Sequence, residues 1–310
     1  MKRLALAFVF LAFAGAAFFW FLTAPNSVPE ARMVAVTAHT PDIANGENVF
    51  WAAGCASCHS VQGSSGDARL ELVGGYELKS NFGTFVAPNI SMHPDDGIGN
   101  WSLEDFATSI IAGVSPDGRH YYPAYPFASF SRITDTDIAD LWEFWQTLPA
   151  AVTPDDQPRT DLGFPFNIRR GVGLWKLAFL NDQPFVDPAS LPDDPLIARG
   201  QYLTEGMGHC GECHTSRNIA GAIRGDVWLA GAPNPSGQGR IPNITPHPDG
   251  IDSWTEDDIA FSLESGFTPT FDSFGGTMAS VAKNYANVAA EDRQAIAAYL
   301  KAVTALPDLQ

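Results

Sequence analysis

The pentapeptide Cys-x-x-Cys-His occurs twice, as Cys55-Ala56-Ser57-Cys58-His59 and as Cys210-Gly211-Glu212-Cys213-His214. Two thiols at this spacing add to the vinyl groups of a haem, and the adjacent histidine then lies under the iron as proximal ligand. Two other chemistries use a Cys-x-x-Cys pair. A redox dithiol belongs in a βαβ context, and no such pattern is visible. A four-thiolate zinc site would need both pairs to converge, yet each pair carries its own histidine and its own similar surroundings. These four are the only cysteines in the chain, so no thiol is left for a disulfide framework. The expected cofactor is therefore two covalently bound haem c, attached at Cys55, Cys58, Cys210 and Cys213. His59 and His214 are the expected proximal iron ligands.

An electron-carrying haem needs a second axial ligand from the far side. In the second copy the candidate is Met278, in Phe274-Gly275-Gly276-Thr277-Met278-Ala279, where a thioether in a Gly-rich turn can approach the iron. The corresponding stretch of the first copy, Gly118-Arg119-His120-Tyr121-Tyr122-Pro123-Ala124-Tyr125-Pro126, contains no methionine. Its candidates, in order, are His120, Met92 and Tyr125. Met92 is weakened by its counterpart, Pro246. Methionine ligation raises the reduction potential of a haem. A bis-histidine first haem would therefore sit below the second and pass electrons to it. His93 and His247 match each other and read as loop histidines able to bond propionates.

The repeat extends past the Cys motifs. Pro88-Asn89-Ile90-Ser91-Met92-His93-Pro94-Asp95 matches Pro242-Asn243-Ile244-Thr245-Pro246-His247-Pro248-Asp249, and Trp101-Ser102 matches Trp254-Thr255 at a nearly constant offset. Each unit should begin with a helix leading into the Cys pair, over 45–54 and 195–208. A loop-rich middle and a helix capped by Ser102 or Thr255 follow. A closing helix, over 136–147 or 290–303, has apolar residues at helical spacing, such as Ile138, Leu141, Trp142 and Trp145. The expected organisation is all-α: a membrane helix or signal at 1–23, a linker at 24–41, one domain at 42–149, a bridge at 150–194 and a second domain at 195–310. Each domain is small, and a haem would supply much of its apolar core.

After Met1-Lys2-Arg3 the chain runs from Leu4 to Leu22 without a charge. As a helix this stretch is about 28 Å long, close to the hydrocarbon thickness of a bilayer. It is longer than the apolar core of a signal peptide, which favours a retained anchor with Lys2 and Arg3 in the cytoplasm. Either way the remainder is exported. The expected location is the bacterial inner membrane, single-pass, with the haem domains in the periplasm. The net charge of −17 argues against nucleic acid as a partner. The stretch from Ile168 to Leu180 is apolar but too short to span, and it carries Arg169, Arg170 and Lys176. It reads either as an interfacial or docking segment or as an inter-domain helix.

These residues resemble the dihaem and trihaem cytochrome c subunits of bacterial membrane-bound dehydrogenases, of the alcohol and gluconate type. The resemblance rests on Gly-Cys-x-x-Cys-His, Ala-Pro-Asn-Ile, Gly-Ile-Gly-x-Trp-Ser and Gly-Val-Ser-Pro-Asp-Gly-Arg-His-x-Tyr-Pro-Ala in the first unit. In the second it rests on Gly-His-Cys-Gly-Glu-Cys-His-Thr, Pro-Asn-Ile-Thr-Pro and Gly-Gly-Thr-Met. It covers nearly everything from Asp42 to Pro307. It implies two tandem class I cytochrome c domains and an electron-transfer protein with no substrate chemistry of its own. The implied donor is a dehydrogenase catalytic subunit. The implied acceptor is a quinone, another cytochrome or an oxidase of the respiratory chain. In many members the first-domain loop reads Tyr-Pro-Ala-Met-Pro with that methionine as ligand; here Tyr125 replaces it. The competing functions are a dihaem redox enzyme, peroxidase-like or thiosulfate-oxidising, and a cytochrome subunit of a terminal oxidase.

Overall fold

The computed structural model describes residues 2–235 and 239–309. The chain opens with α1 (Lys2–Leu22), apolar along its length and with none of its residues buried by the rest of the protein. A short α2 (Glu30–Ala38) leads to α3 (Ile43–Ala52), α4 (Cys55–His59), α5 (Leu103–Ala112), α6 (Phe127–Phe130) and α7 (Asp135–Trp145). The bridge holds α8 (Val172–Phe179). Then come α9 (Pro195–Tyr202), α10 (Gly211–His214), α11 (Glu256–Ser265), α12 (Gly276–Tyr285) and α13 (Ala290–Ala302). The chain is mostly helical, but not wholly so. An antiparallel sheet of order β1 (Glu77–Ser80), β2 (Gly83–Val86), β3 (Asp161–Leu162) ties the first loop region to the bridge, with Glu77 opposite Val86. A second ribbon pairs β4 (Ala232–Pro233) with β5 (Arg240–Ile241).

The helix boundaries follow local chemistry. Asp42 caps α3 by accepting from the amides of Ala44 and Asn45, so that helix starts earlier than its apolar pattern suggests. Gly54, at φ 67°, stops it before the cysteines. Ser102 and Thr255 each form a full capping box, with Asp105 and Asp258 as the reciprocal partners, as expected from sequence. The helix expected over 195–208 is broken. Regular turns end at Tyr202, and a π-helical turn, Leu203–Met207, carries the chain to the second Cys motif.

Two helix crossings organise the core. At Gly46 of α3 an added Cβ would stand 2.0 Å from the Asp140 carbonyl oxygen of α7. At Gly200 of α9 it would stand 1.8 Å from the Ala295 carbonyl oxygen of α13. Both crossings are so close that only hydrogen fits. Around the first, Phe50 meets Phe144 and Trp145 at 5.4 and 5.5 Å, and Phe106 meets Trp142 at 4.8 Å. Around the second, Tyr299, Ile296, Leu203 and Leu229 are fully buried, and Trp228 stacks on Phe185 at 4.2 Å. The buried residues of both groups form one continuous apolar cluster.

Gly46→Ala and Gly200→Ala should each destabilise the protein by about 2–3 kcal/mol or more, since the added methyl meets backbone that must move. Gly163→Ala, with open space around it, should be near neutral. Thermal unfolding of the full chain in detergent measures this; equal midpoints for all three variants would refute it.

Candidate functional site

Gly54 turns the chain so that α4 begins afresh at Cys55. Cys55 and Cys58 then lie three residues apart on one helix face, the geometry two vinyl additions require. The His59 ring is held by its own loop: Nδ1 donates to the Pro88 carbonyl at 2.8 Å. A carbonyl only accepts, so the proton is on Nδ1 and the Nε2 lone pair is left for a metal. The loop is itself braced. Gly74 donates to the His59 carbonyl at 2.7 Å, and Ile90 to the Leu72 carbonyl at 2.9 Å. The Asn89 side chain donates to Ala151 at 2.7 Å while accepting from the Ser91 amide at 2.8 Å.

The second motif repeats this contact for contact. His214 Nδ1 donates to the Pro242 carbonyl at 2.8 Å, and Gly231 donates to the His214 carbonyl at 2.8 Å. Asn243 donates to Leu306 at 2.7 Å and accepts from the Thr245 amide at 2.8 Å. The local packing is tighter: a Cβ at Gly211 would fall 2.1 Å from the Trp228 ring.

These cysteines and histidines keep some accessible surface but are densely surrounded by protein. Burial raises the Cys55 and Cys58 thiols to about 12 and about 11, and Cys210 to about 12. Burial lowers His59 to about 4 and lowers His214 as well. Neutral thiols and neutral imidazoles suit thioether formation and iron ligation, not thiolate chemistry. All four cysteines are unbridged. Among the described residues, no three of His, Cys, Asp and Glu converge as a metal-ion site. The donor set therefore fits haem c.

The two motifs are neighbours. The charge of a Cys213 thiolate would be felt at Cys58. His209 Nε2 donates to the Ala53 carbonyl at 3.2 Å, so the residue before Cys210 touches the turn before Cys55. Asn284 of α12 donates to Ser57 Oγ at 2.8 Å and is gripped by Arg69. Glu205 of the π-turn is fully buried and accepts from Tyr299 Oη at 2.6 Å, from Gln201 Nε2 at 3.0 Å and from the Phe185 amide at 2.6 Å. Sequence reasoning missed His209, Asn284, Arg69 and Glu205. Only His209 carried a signal, standing where the first unit has glycine.

The far-side candidates separate. Met278 lies in the first turn of α12, not in the Gly-rich turn expected from sequence, because the helix begins at Gly276. It shares a helix face with Ala282 and Tyr285. Tyr285 borders Gly208 and the Cys210 sulfur, and its Oη also donates to the Ala52 carbonyl of α3 at 3.4 Å, so α12 lies beside both units. His120 is not where the sequence reading put it. Its ring is 3% exposed, and Nε2 donates to the Thr23 carbonyl at 2.9 Å at the end of α1. Its charged neighbours are Lys176, Arg170 and Arg169, not the Cys motif. Its Nδ1 is buried without a partner. The residue beside Cys55 is Tyr125, enclosed by Tyr121 and Phe130 at 5.5 and 5.8 Å. Burial keeps its phenol firmly protonated. Met92 belongs to the loop that already holds His59. His93 and His247 are structural: their Nδ1 atoms accept from the Asp96 amide at 3.0 Å and the Asp249 amide at 3.1 Å.

Comparison with known proteins agrees with this chemistry. The cytochrome c family pattern matches residues 43–149. A diheme cytochrome c-type protein of Cereibacter sphaeroides is 47% identical over 293 residues, covering 94% of this chain and 95% of that protein. The fructose dehydrogenase cytochrome subunit of Gluconobacter japonicus is 37% identical over 87% of this chain, which spans 54% of that subunit. The cytochrome c subunit of the quinone alcohol dehydrogenase of Gluconobacter oxydans is 34% identical over 93% of this chain, which spans 61% of that subunit. Two cysteine pairs with oriented histidines, joined to these likenesses, make the chain a member of the cytochrome c family, an electron-transfer protein carrying covalent haem c.

Proposed function

We propose that the chain is a dihaem electron carrier built from two tandem class I cytochrome c domains, at 42–149 and 195–310, behind a retained anchor. Haem c supplies single-electron chemistry when bound. Cys55, Cys58, Cys210 and Cys213 tether two of these groups, and His59 and His214 ligate their irons through Nε2. Met278 is the second ligand at the second site. His120 is withdrawn as a ligand of the first, because its Nε2 is engaged by Thr23. The observation that carries the reading is the duplicated bracing of His59 and His214, each by a proline carbonyl at 2.8 Å. Contact between the motifs through His209 and Ala53 supports direct electron exchange between them. The donor is a dehydrogenase subunit in the periplasm or on the inner membrane. The acceptor is a quinone, a cytochrome or an oxidase.

The direction of flow follows from the ligands. A thioether raises the potential of the second site. Beside the first stands the neutral phenol of Tyr125, which supplies no such stabilisation of the reduced iron. A second reading, a dihaem redox enzyme, draws on this same feature: an iron facing Tyr125 would have an exchangeable position. Carbon monoxide added to the reduced protein separates the two. Binding at one site without catalytic turnover of peroxide or thiosulfate leaves the carrier reading standing; turnover of either sinks it.

Two further outcomes are expected. A pyridine haemochrome assay should give two haems per chain, falling to one when Cys210 and Cys213 are both changed to alanine; an unchanged count would refute the assignment. Met278→Ala should lower the potential of one haem and abolish its thioether–iron absorption band. His120→Asn should leave both haem spectra as they are. Spectral loss in the His120 variant would restore that residue as a ligand.

A further inference from the structure

From Gly163 to Leu180 the chain carries three bases and no acid, in a protein of net charge −17. One side of this stretch is fixed to the protein. Lys176 Nζ donates to the Gly113 carbonyl at 2.7 Å, capping the C-terminus of α5, and Trp175 Nε1 donates to Ala220 at 3.0 Å. Tyr122 Oη donates to the Phe166 carbonyl at 2.9 Å. The other side is apolar and open. Phe164 is 80% exposed and Leu177 60%, with Phe166, Ile168 and Leu174 also exposed. Ile219, beside the Ala220 that Trp175 holds, is fully exposed. Such a patch on a soluble surface marks a contact.

The position of the patch identifies the contact. Arg170 donates to the Trp20 carbonyl at 2.5 Å and to Thr23 Oγ1 at 3.0 Å, with its guanidinium 4.1 Å above the Trp20 ring. Gly173 is pressed so closely on Thr23 that a Cβ would stand 2.7 Å from that side chain. The segment is thus pinned to the outer end of α1, at the level where a helix of that length leaves the hydrocarbon.

We propose that residues 163–180, with Ile219, form a second membrane contact that lies in the outer interface of an anionic phospholipid bilayer. The proposal rests on the reading of α1 as a retained anchor. Phe164, Phe166, Ile168, Leu174 and Leu177 enter the headgroup–acyl boundary, while Arg169 and Arg170 favour anionic headgroups. Because the buried side of the segment grips both the α5 end and the Ala220 turn, the bilayer then sets the orientation of both haem-motif units.

The test uses the full haem-loaded chain in nanodiscs of phosphatidylethanolamine and phosphatidylglycerol containing a lipid with a photoreactive diazirine in its acyl chain. After illumination, adducts are mapped by peptide mass. They are expected in 2–22, in 163–180 and at Ile219, and not at the equally exposed Phe261 and Phe271. A Leu174→Glu/Leu177→Glu variant should lose roughly tenfold of the 163–180 adducts and keep those in 2–22. Adducts in 2–22 alone would overturn the proposal and leave the anchor intact. Absence from 2–22 as well would overturn both. Cross-links from 163–180 to a second copy of the chain, in place of lipid, would also overturn it.

Discussion

The contact on which the rest of the structure depends is the bond from a histidine Nδ1 to a proline carbonyl, made once by His59 with Pro88 and once by His214 with Pro242. An imidazole on a short helix is free to rotate about two bonds. One oriented acceptor fixes both its tautomer and its plane, and so decides which nitrogen meets a metal. That acceptor must itself be held, and much of each unit is devoted to holding it. Asn89 and Asn243 fasten the loop to the segment after the closing helix. The closing helix is in turn locked to the first helix where Gly46 and Gly200 allow backbone to touch backbone. Removing either glycine would disturb the ring through a chain of rigid contacts, without touching the cysteines.

Much of this was legible in the sequence because it repeats. A duplicated residue whose surroundings are also duplicated reports a geometric requirement. The paired Pro-Asn-Ile segments, the Trp-Ser and Trp-Thr caps and the closing helices all lie where those matches put them. The glycine crossings were equally present in the sequence, since Gly46 and Gly200 occupy matching places, but a helical glycine gives no sign of what approaches it. The π-turn at Leu203–Met207 broke a pattern that looked uniformly helical. Its cause is tertiary: buried Glu205 gathers donors from Tyr299, Gln201 and the bridge backbone.

His120 shows where sequence reasoning stops. Its place in the loop matched a ligand position, and its residue type suited iron. What claimed it instead was the end of α1, nearly a hundred residues earlier, through the Thr23 carbonyl. Nothing local in the sequence signals that the end of the N-terminal helix returns to this loop. The bridge segment was ambiguous for the same reason. Its apolar residues and its bases suit a surface helix and an inter-domain helix alike, and the structure uses one side for each purpose. Val172, Gly173 and Lys176 face inwards, and Leu174, Leu177 and Ala178 face out.

The asymmetry between the two units has a physical logic. The contacts joining the motifs are themselves nearly apolar or neutral: His209 on Ala53, Asn284 on Ser57, Tyr285 near Ala52. Charge is present beside them: Glu212, inside the second motif, is felt at His209 and Cys213 and pairs with Arg217, and buried Arg69 holds Asn284. In the proposed dihaem reading, direction would be set by the ligands of the two irons. Under the proposed ligation, with Met278 on one far side and the buried Tyr125 phenol on the other, the chain would keep its proximal chemistry alike and change the variable that sets direction. It leaves untouched the packing that sets proximity.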